Sequence, residues 1–166
     1  VNMAQAVPSN PPHPELLERL GRDAGTAPAA RYGDIGGDEA LREAYAAEVN
    51  RIYGGDTGSH EIAVTAGCNL AFFIAMLSVA RAGEAVLLPA PWYFNHEMAL
   101  RMLGIEARVL PVAPETGFVP DADVAARLID GKVRAIVLVS PNNPTGAVYP
   151  PETFRSEERR VGKECR

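Results

Sequence analysis

The sequence predicts an α/β fold built on a largely parallel sheet, and three observations carry that prediction. The segment Glu84–Leu88 and the run Ala135–Val139 are nearly unbroken aliphatic stretches, which read as strands buried on both faces, as in a parallel sheet. Helical patterns alternate with the strands at intervals suited to right-handed crossovers. The strands close on Pro- and Gly-rich turns, Pro89-Ala90-Pro91 and Ser140-Pro141-Asn142-Asn143-Pro144-Thr145-Gly146, and carboxyl-end loops are where open α/β sheets bind ligands.

The chain of 166 residues fits one domain with its own core. Its last twelve residues, Arg155–Arg166, change abruptly from an Ala-, Val-, Leu- and Pro-rich composition to an almost wholly charged one. They read as a translated adapter, a non-native tail. The tail holds five of the 16 basic and three of the 21 acidic residues, which leaves 11 against 18, a balance of −7. An acidic domain of this kind has no basic footprint for nucleic acid. With Cys165 in the tail, Cys68 is the one cysteine of the body, too few for a disulfide framework or a zinc site. No apolar stretch reaches the ~20 residues that span a bilayer. No secretory signal precedes the body, so a cytoplasmic protein is expected, and Val1 reads as a start inside a gene.

In order along the chain, residues 1–30 contain Pro8, Pro11, Pro12 and Pro14 and predict an extended N-terminal arm followed by a short helix over Glu15–Arg22. Residues 31–154 form the main domain. Asp38 is a good N-cap for a helix over Glu39–Ile52, with Leu41, Tyr45, Val49 and Ile52 at helical spacing. Ile62–Thr65 reads as a short strand, and Ala66–Asn69 as the turn into a helix that runs to Ala80. A helix N-terminus presents unpaired N–H groups and the positive end of a dipole, so this turn suits a phosphate, and Gly67 permits close approach. The strand Glu84–Leu88 is followed by Trp92-Tyr93-Phe94-Asn95-His96, which opens a helix to Leu103. Ile105–Val112 is a further strand. Asp121–Ile129 is a helix, and Asp130-Gly131 returns the chain to the strand Ala135–Val139.

Four segments in sequence order carry a resemblance: Tyr32 with Gly36, Gly67–Asn69 within the pattern Thr65-x-Gly67-x-x-x-Ala71, Pro91 with Tyr93, and Asn143–Gly146. Together they resemble the class I/II aminotransferases that depend on pyridoxal 5'-phosphate (PLP), over the chain as far as about Glu152. Agreement across separate segments counts for more than any one motif. The resemblance implies the three-layer large domain of that fold, preceded by its N-terminal arm, and a homodimer. It also implies roles. Gly67, Cys68 and Asn69 hold the cofactor phosphate, chiefly through backbone amides. Tyr93 stacks on the pyridine ring, with Trp92 as a register-shifted alternative. His96 supports the residues that touch the cofactor without touching it itself, and Asn143 bonds the phenolic oxygen. Tyr32 reaches the phosphate of the neighbouring subunit.

The family's cofactor-anchoring lysine, its aspartate on the pyridinium nitrogen and its carboxylate-binding arginine all lie downstream of the Asn-Pro-Thr-Gly loop. Here the lysines are Lys132 and Lys163, neither in a position to take that role, so no catalytic residue is assigned. The expectation is an intact parent that moves an amino group between an amino acid and a 2-oxo acid, and a 166-residue chain inactive by itself. A carbon–sulfur β-lyase of the same fold, the effector domain of a PLP-binding transcription regulator, and a merely structural α/β domain are the alternatives.

Overall fold

Two units divide between Val64 and Thr65. The computed structural model describes residues 10–154; the first nine residues of the arm and the charged tail lie outside them. In the first unit, helix α1 (Pro14–Ala24) begins at His13, whose ring accepts a hydrogen bond from the Glu15 amide, and Pro14 sits where a missing N–H is harmless. Helix α2 (Glu39–Tyr53) is capped by Asp38, which accepts from the Leu41 amide, and ends at Gly54 in the left-handed region. The turn between the helices needs a second glycine. Gly37 has φ 99°, and a Cβ there would stand 2.7 Å from the Val64 Cβ. Arg42 then ties this turn to the segment after α2, donating to the carbonyls of Gly37 and Ser59.

The strand expected at Ile62–Thr65 is absent. Ile62 has extended dihedrals (φ −109°, ψ 131°), but among the described residues no ladder partner runs beside this segment, and the Val64 amide bonds to the Gly36 carbonyl instead. Extended backbone becomes a strand only when another strand takes up its donors and acceptors.

The second unit is a three-layer sandwich. Helix α3 (Cys68–Val79) leads into strand β1 (Ala85–Ala90), then come helix α4 (Phe94–Met102), strand β2 (Glu106–Pro111), helix α5 (Ala122–Leu128) and strand β3 (Val133–Ile136). The three strands are parallel in the order β2-β1-β3. Alternation of side chains lets one apolar strand serve two cores. Val86 and Leu88 pack with Met76, Ala80, Leu100 and Ile105 under α3 and α4, whereas Leu87 packs with Leu110 and Ala125 under α5. Each leucine so buried contributes roughly 1.5–3 kcal/mol relative to exposure.

Two boundaries differ from expectation. β1 runs through Pro89 to Ala90, because its pairing with β3 covers Ala85–Leu87 only; beyond that it is an edge, where a missing N–H is tolerated. The last strand occupies Val133–Ile136 rather than Ala135–Val139, and its apolar residues are half-buried rather than covered on both faces. Among the described residues nothing pairs with its outer edge. The Val137 amide still bonds the Leu87 carbonyl, one residue past the end of β3 on the way to the Asn-Asn loop.

Candidate functional site

Three of the four segments singled out by sequence lie in the second unit, and the topology brings them to one edge of the sheet. β1 and β3 are parallel neighbours, so Pro91–Tyr93 and Ser140–Gly146 leave the sheet at the same carboxyl edge. α3 precedes β1 and packs back along it, which turns its N-terminus to that edge as well. Phe72, one turn into α3, stacks on His96 in the first turn of α4, with ring centroids 4.3 Å apart.

At the start of α3, Gly67 is the N-cap with φ 93° and ψ 159°, and no side chain caps the helix. The turn is braced from within: the Gly67 amide donates to the Thr65 carbonyl at 2.8 Å, and the Thr65 hydroxyl donates to the Gly67 carbonyl at 2.9 Å. A Cβ on Gly67 would meet no atom within 4 Å, so glycine serves the backbone angle and leaves open space above the first turn. Cys68 and Asn69 are exposed there. The first amides of an α-helix have no intrahelical partner, and here they face that space with the positive end of the dipole behind them.

At the start of α4 the two neighbouring aromatics separate. Trp92 packs against the cluster of Val86, Leu88 and Leu100, while Tyr93, the N-cap residue, is half-buried beside His96. The Tyr93 and His96 rings meet edge-on, with centroids 5.5 Å apart and planes at 86°. Burial pushes the His96 imidazole below its usual pKa, because desolvation disfavours the charged form. Asn95 donates its side-chain amide to the Tyr93 hydroxyl at 2.7 Å.

In the Asn-Asn loop the adjacent asparagines divide their work. Asn142 is buried, and its Oδ1 accepts from the Thr145 hydroxyl at 2.9 Å and the Thr145 amide at 3.3 Å. Its backbone donates to the Ala147 carbonyl and accepts from the Gly146 amide at 2.7 Å. The Ser140 hydroxyl accepts from the Tyr149 amide at 2.8 Å and closes the loop. Burial raises the Tyr149 phenol, and a hydrogen bond with Asn142 acts against that shift. Asn143 is exposed, and among the described residues its side chain has no partner. Tyr32 belongs to the first unit and is fully exposed. Sequence reading singled out Asn143 but missed Asn142, Tyr149, Asn95 and Phe72. The doubled asparagine was the one visible signal, since it asks which of the two is structural.

A cavity of ≈ 410 Å³, lined by Leu77–Arg81, Glu84 and Arg134, lies at the opposite, amino end of β1. Among the described residues no three His, Cys, Asp or Glu side chains are grouped to hold a metal, and no helix is long and apolar enough to cross a membrane.

A parallel sheet between helical layers, with an uncapped helix N-terminus, an aromatic ring and a free amide at one carboxyl edge, defines an α/β protein whose candidate groups lie where open sheets of this class bind ligands. The family profile described as "Aminotransferase class I and II" matches residues 1–156, and the chain belongs to that family. It is 35% identical to the probable aspartate/prephenate aminotransferase of Thermus aquaticus over 143 residues, 86% of this chain and 37% of that protein. It is 34% identical to the probable N-succinyldiaminopimelate aminotransferase DapC of Mycobacterium tuberculosis over 150 residues, 89% of this chain and 38% of that one. Among solved structures, the aspartate aminotransferase of Thermotoga maritima superposes with a TM-score of 0.90 at 27% identity, over 98% of this chain and 43% of its own. The chain therefore spans well under half the length of these relatives, and its three-layer parallel architecture is that of the aspartate aminotransferases.

Proposed function

We propose that the intact parent of this chain transfers an amino group between an amino acid and a 2-oxo acid with pyridoxal 5'-phosphate as cofactor. The observation that carries the reading is the convergence of the α3 N-terminus, the Tyr93 ring and the Asn143 amide on one edge of the sheet. The residues present fit that group. Open space over Gly67 admits a phosphate to the Cys68 and Asn69 amides, whose dipole offsets its charge. Tyr93 offers a half-exposed aromatic face, and Asn143 an unengaged amide for the ring oxygen. When bound, the cofactor supplies the electron sink that the protein's side chains lack. The chain's own part is to hold the phosphate, fix the tilt of the ring and exclude water from one of its faces, a stack worth roughly 0.5–1.5 kcal/mol beyond area burial.

In this reading Tyr32 serves the phosphate of a neighbouring subunit in a homodimer, and the protein works in the cytoplasm without a nucleic-acid or membrane partner. The covalent anchor of the cofactor lies outside the 166 residues. Lys132 sits in the turn before β3, at the amino end of the sheet and so at the wrong end for the role, and Lys163 falls in the charged tail. The chain by itself is accordingly inactive. The relatives described above are named as aminotransferases, which favours amino transfer over carbon–sulfur lysis.

Two experiments test this. The full-length parent, supplied with PLP, aspartate and a panel of 2-oxo acids, is expected to form the matching amino acids. Release of thiol from a cysteine conjugate with no amino acid formed would overturn the transferase reading. The 166-residue chain, mixed with PLP and treated with borohydride, is expected to trap no cofactor; stoichiometric capture at a single lysine together with transaminase activity would overturn its inactivity.

A further inference from the structure

The first turn of α4 holds a contact that neither core packing nor helix capping requires. Asn95 occupies the second position of the helix, where an asparagine side chain ordinarily points to solvent or serves a cap. Here its amide turns back two residues and donates to the Tyr93 hydroxyl at 2.7 Å. The Tyr93 ring is constrained elsewhere too: His96 meets it edge-on, Phe94 lies tilted beside it at 4.9 Å and 56°, and His96 is itself stacked on Phe72 of α3. Trp92, one residue earlier, is partly buried against the core cluster and so anchors the chain just before the ring. A tyrosine ring in a well-packed core needs no such device. A half-exposed ring otherwise keeps rotational freedom that a ligand stacking on it must remove, at a cost in affinity.

The donor direction adds a second consequence. Because the phenolic oxygen accepts from Asn95, the hydroxyl keeps its own hydrogen for a different acceptor. The phenol becomes an outward donor at the edge of the site rather than a freely rotating group.

We propose that Asn95 is a positioning residue, one that acts through Tyr93 to fix the ring face and hydroxyl direction presented to the cofactor before the cofactor arrives. This rests on the PLP reading given above. Asn95 itself need touch neither cofactor nor substrate. Its effect should therefore vanish when the Tyr93 hydroxyl is removed.

The test is a double-mutant cycle in the full-length parent, read as the dissociation constant of PLP from the reconstituted apoenzyme and as the visible circular dichroism of the bound cofactor. Asn95→Ala is expected to weaken PLP roughly fivefold and to reduce the dichroic band, which reports ring tilt, as one lost hydrogen bond would do. Tyr93→Phe should give a comparable loss. The double variant should be no worse than either single, because both remove the same bond. Asn95→Asp, equal in size but an acceptor, should fail like Asn95→Ala by pulling the hydroxyl hydrogen inward. Additive losses in the double variant, a neutral Asn95→Ala beside a damaging Tyr93→Phe, or full affinity in Asn95→Asp would each overturn the proposal and leave the cofactor reading intact. Failure of the unsubstituted parent to bind PLP at all would overturn both.

Discussion

The two units differ in how their apolar residues are used. From Thr65 onward, the central strand is buried on both faces, and helices α3, α4 and α5 each contribute to a core. In the residues up to Val64, Ala46 is the one buried side chain among those described, and Leu16, Leu17, Leu20, Leu41 and Tyr45 are all more than half exposed. Yet the helices of the first unit are as well capped as those of the second: Asp38 caps α2 just as Asp121 caps α5. Local signals are enough to start and stop a helix, whereas a core needs facing surfaces delivered by a sheet.

The largest expected effect sharpens this contrast directly. Leu100→Ala, at a fully buried position between α4 and β1, should destabilise the second unit by about 2–5 kcal/mol, whereas Leu17→Ala on α1 should change stability by less than about 0.5 kcal/mol. Chemical denaturation followed by Trp92 fluorescence measures the first, and helix content by circular dichroism the second. Equal effects would break the comparison.

A narrower version of the contrast lies within the Asn-Asn loop. Asn142→Ala removes the acceptor for the Thr145 amide and hydroxyl in a buried setting and should cost about 1–3 kcal/mol of stability. Asn143→Ala should leave stability nearly unchanged while weakening PLP in the full-length parent. Melting temperature against cofactor affinity separates the neighbours, and a reversal of the two profiles would contradict the roles given to them.

The smallest effect is a pH slope confined to the second unit. Burial holds the folded-state pKa of His96 below the ordinary imidazole value of about 6.5, so between the two the unfolded chain binds the proton and the folded chain does not. Stability is therefore greatest above about pH 6.5, falls as the pH drops through the window below it, and levels off beneath the folded-state pKa. Denaturation midpoints between pH 5 and 8 should show the slope, and His96→Phe, which keeps the stack on Phe72, should flatten it.

Much of this protein was legible from its residues alone. The nearly continuous aliphatic segment before Pro89, the aspartate at 38 and the glycine at 67 specify a strand, a cap and a turn through local sterics and hydrogen bonding, and the order of four motifs was enough to indicate the family. Tertiary structure decided the rest, because it depends on partners distant in sequence. Ile62–Thr65 has the composition of a strand but no ladder beside it. β3 has the composition of a central strand but lies at an edge and is half-buried. Tyr93 is preferred in sequence with Trp92 as its register-shifted alternative, and packing sets Trp92 against the core cluster while Tyr93 lies half-buried beside His96. Asn142 and Asn143 are chemically identical until burial makes one a structural acceptor and leaves the other exposed. A residue's chemistry is written in its side chain, but its partner, and so its role, is set by which surfaces the fold brings within hydrogen-bonding reach.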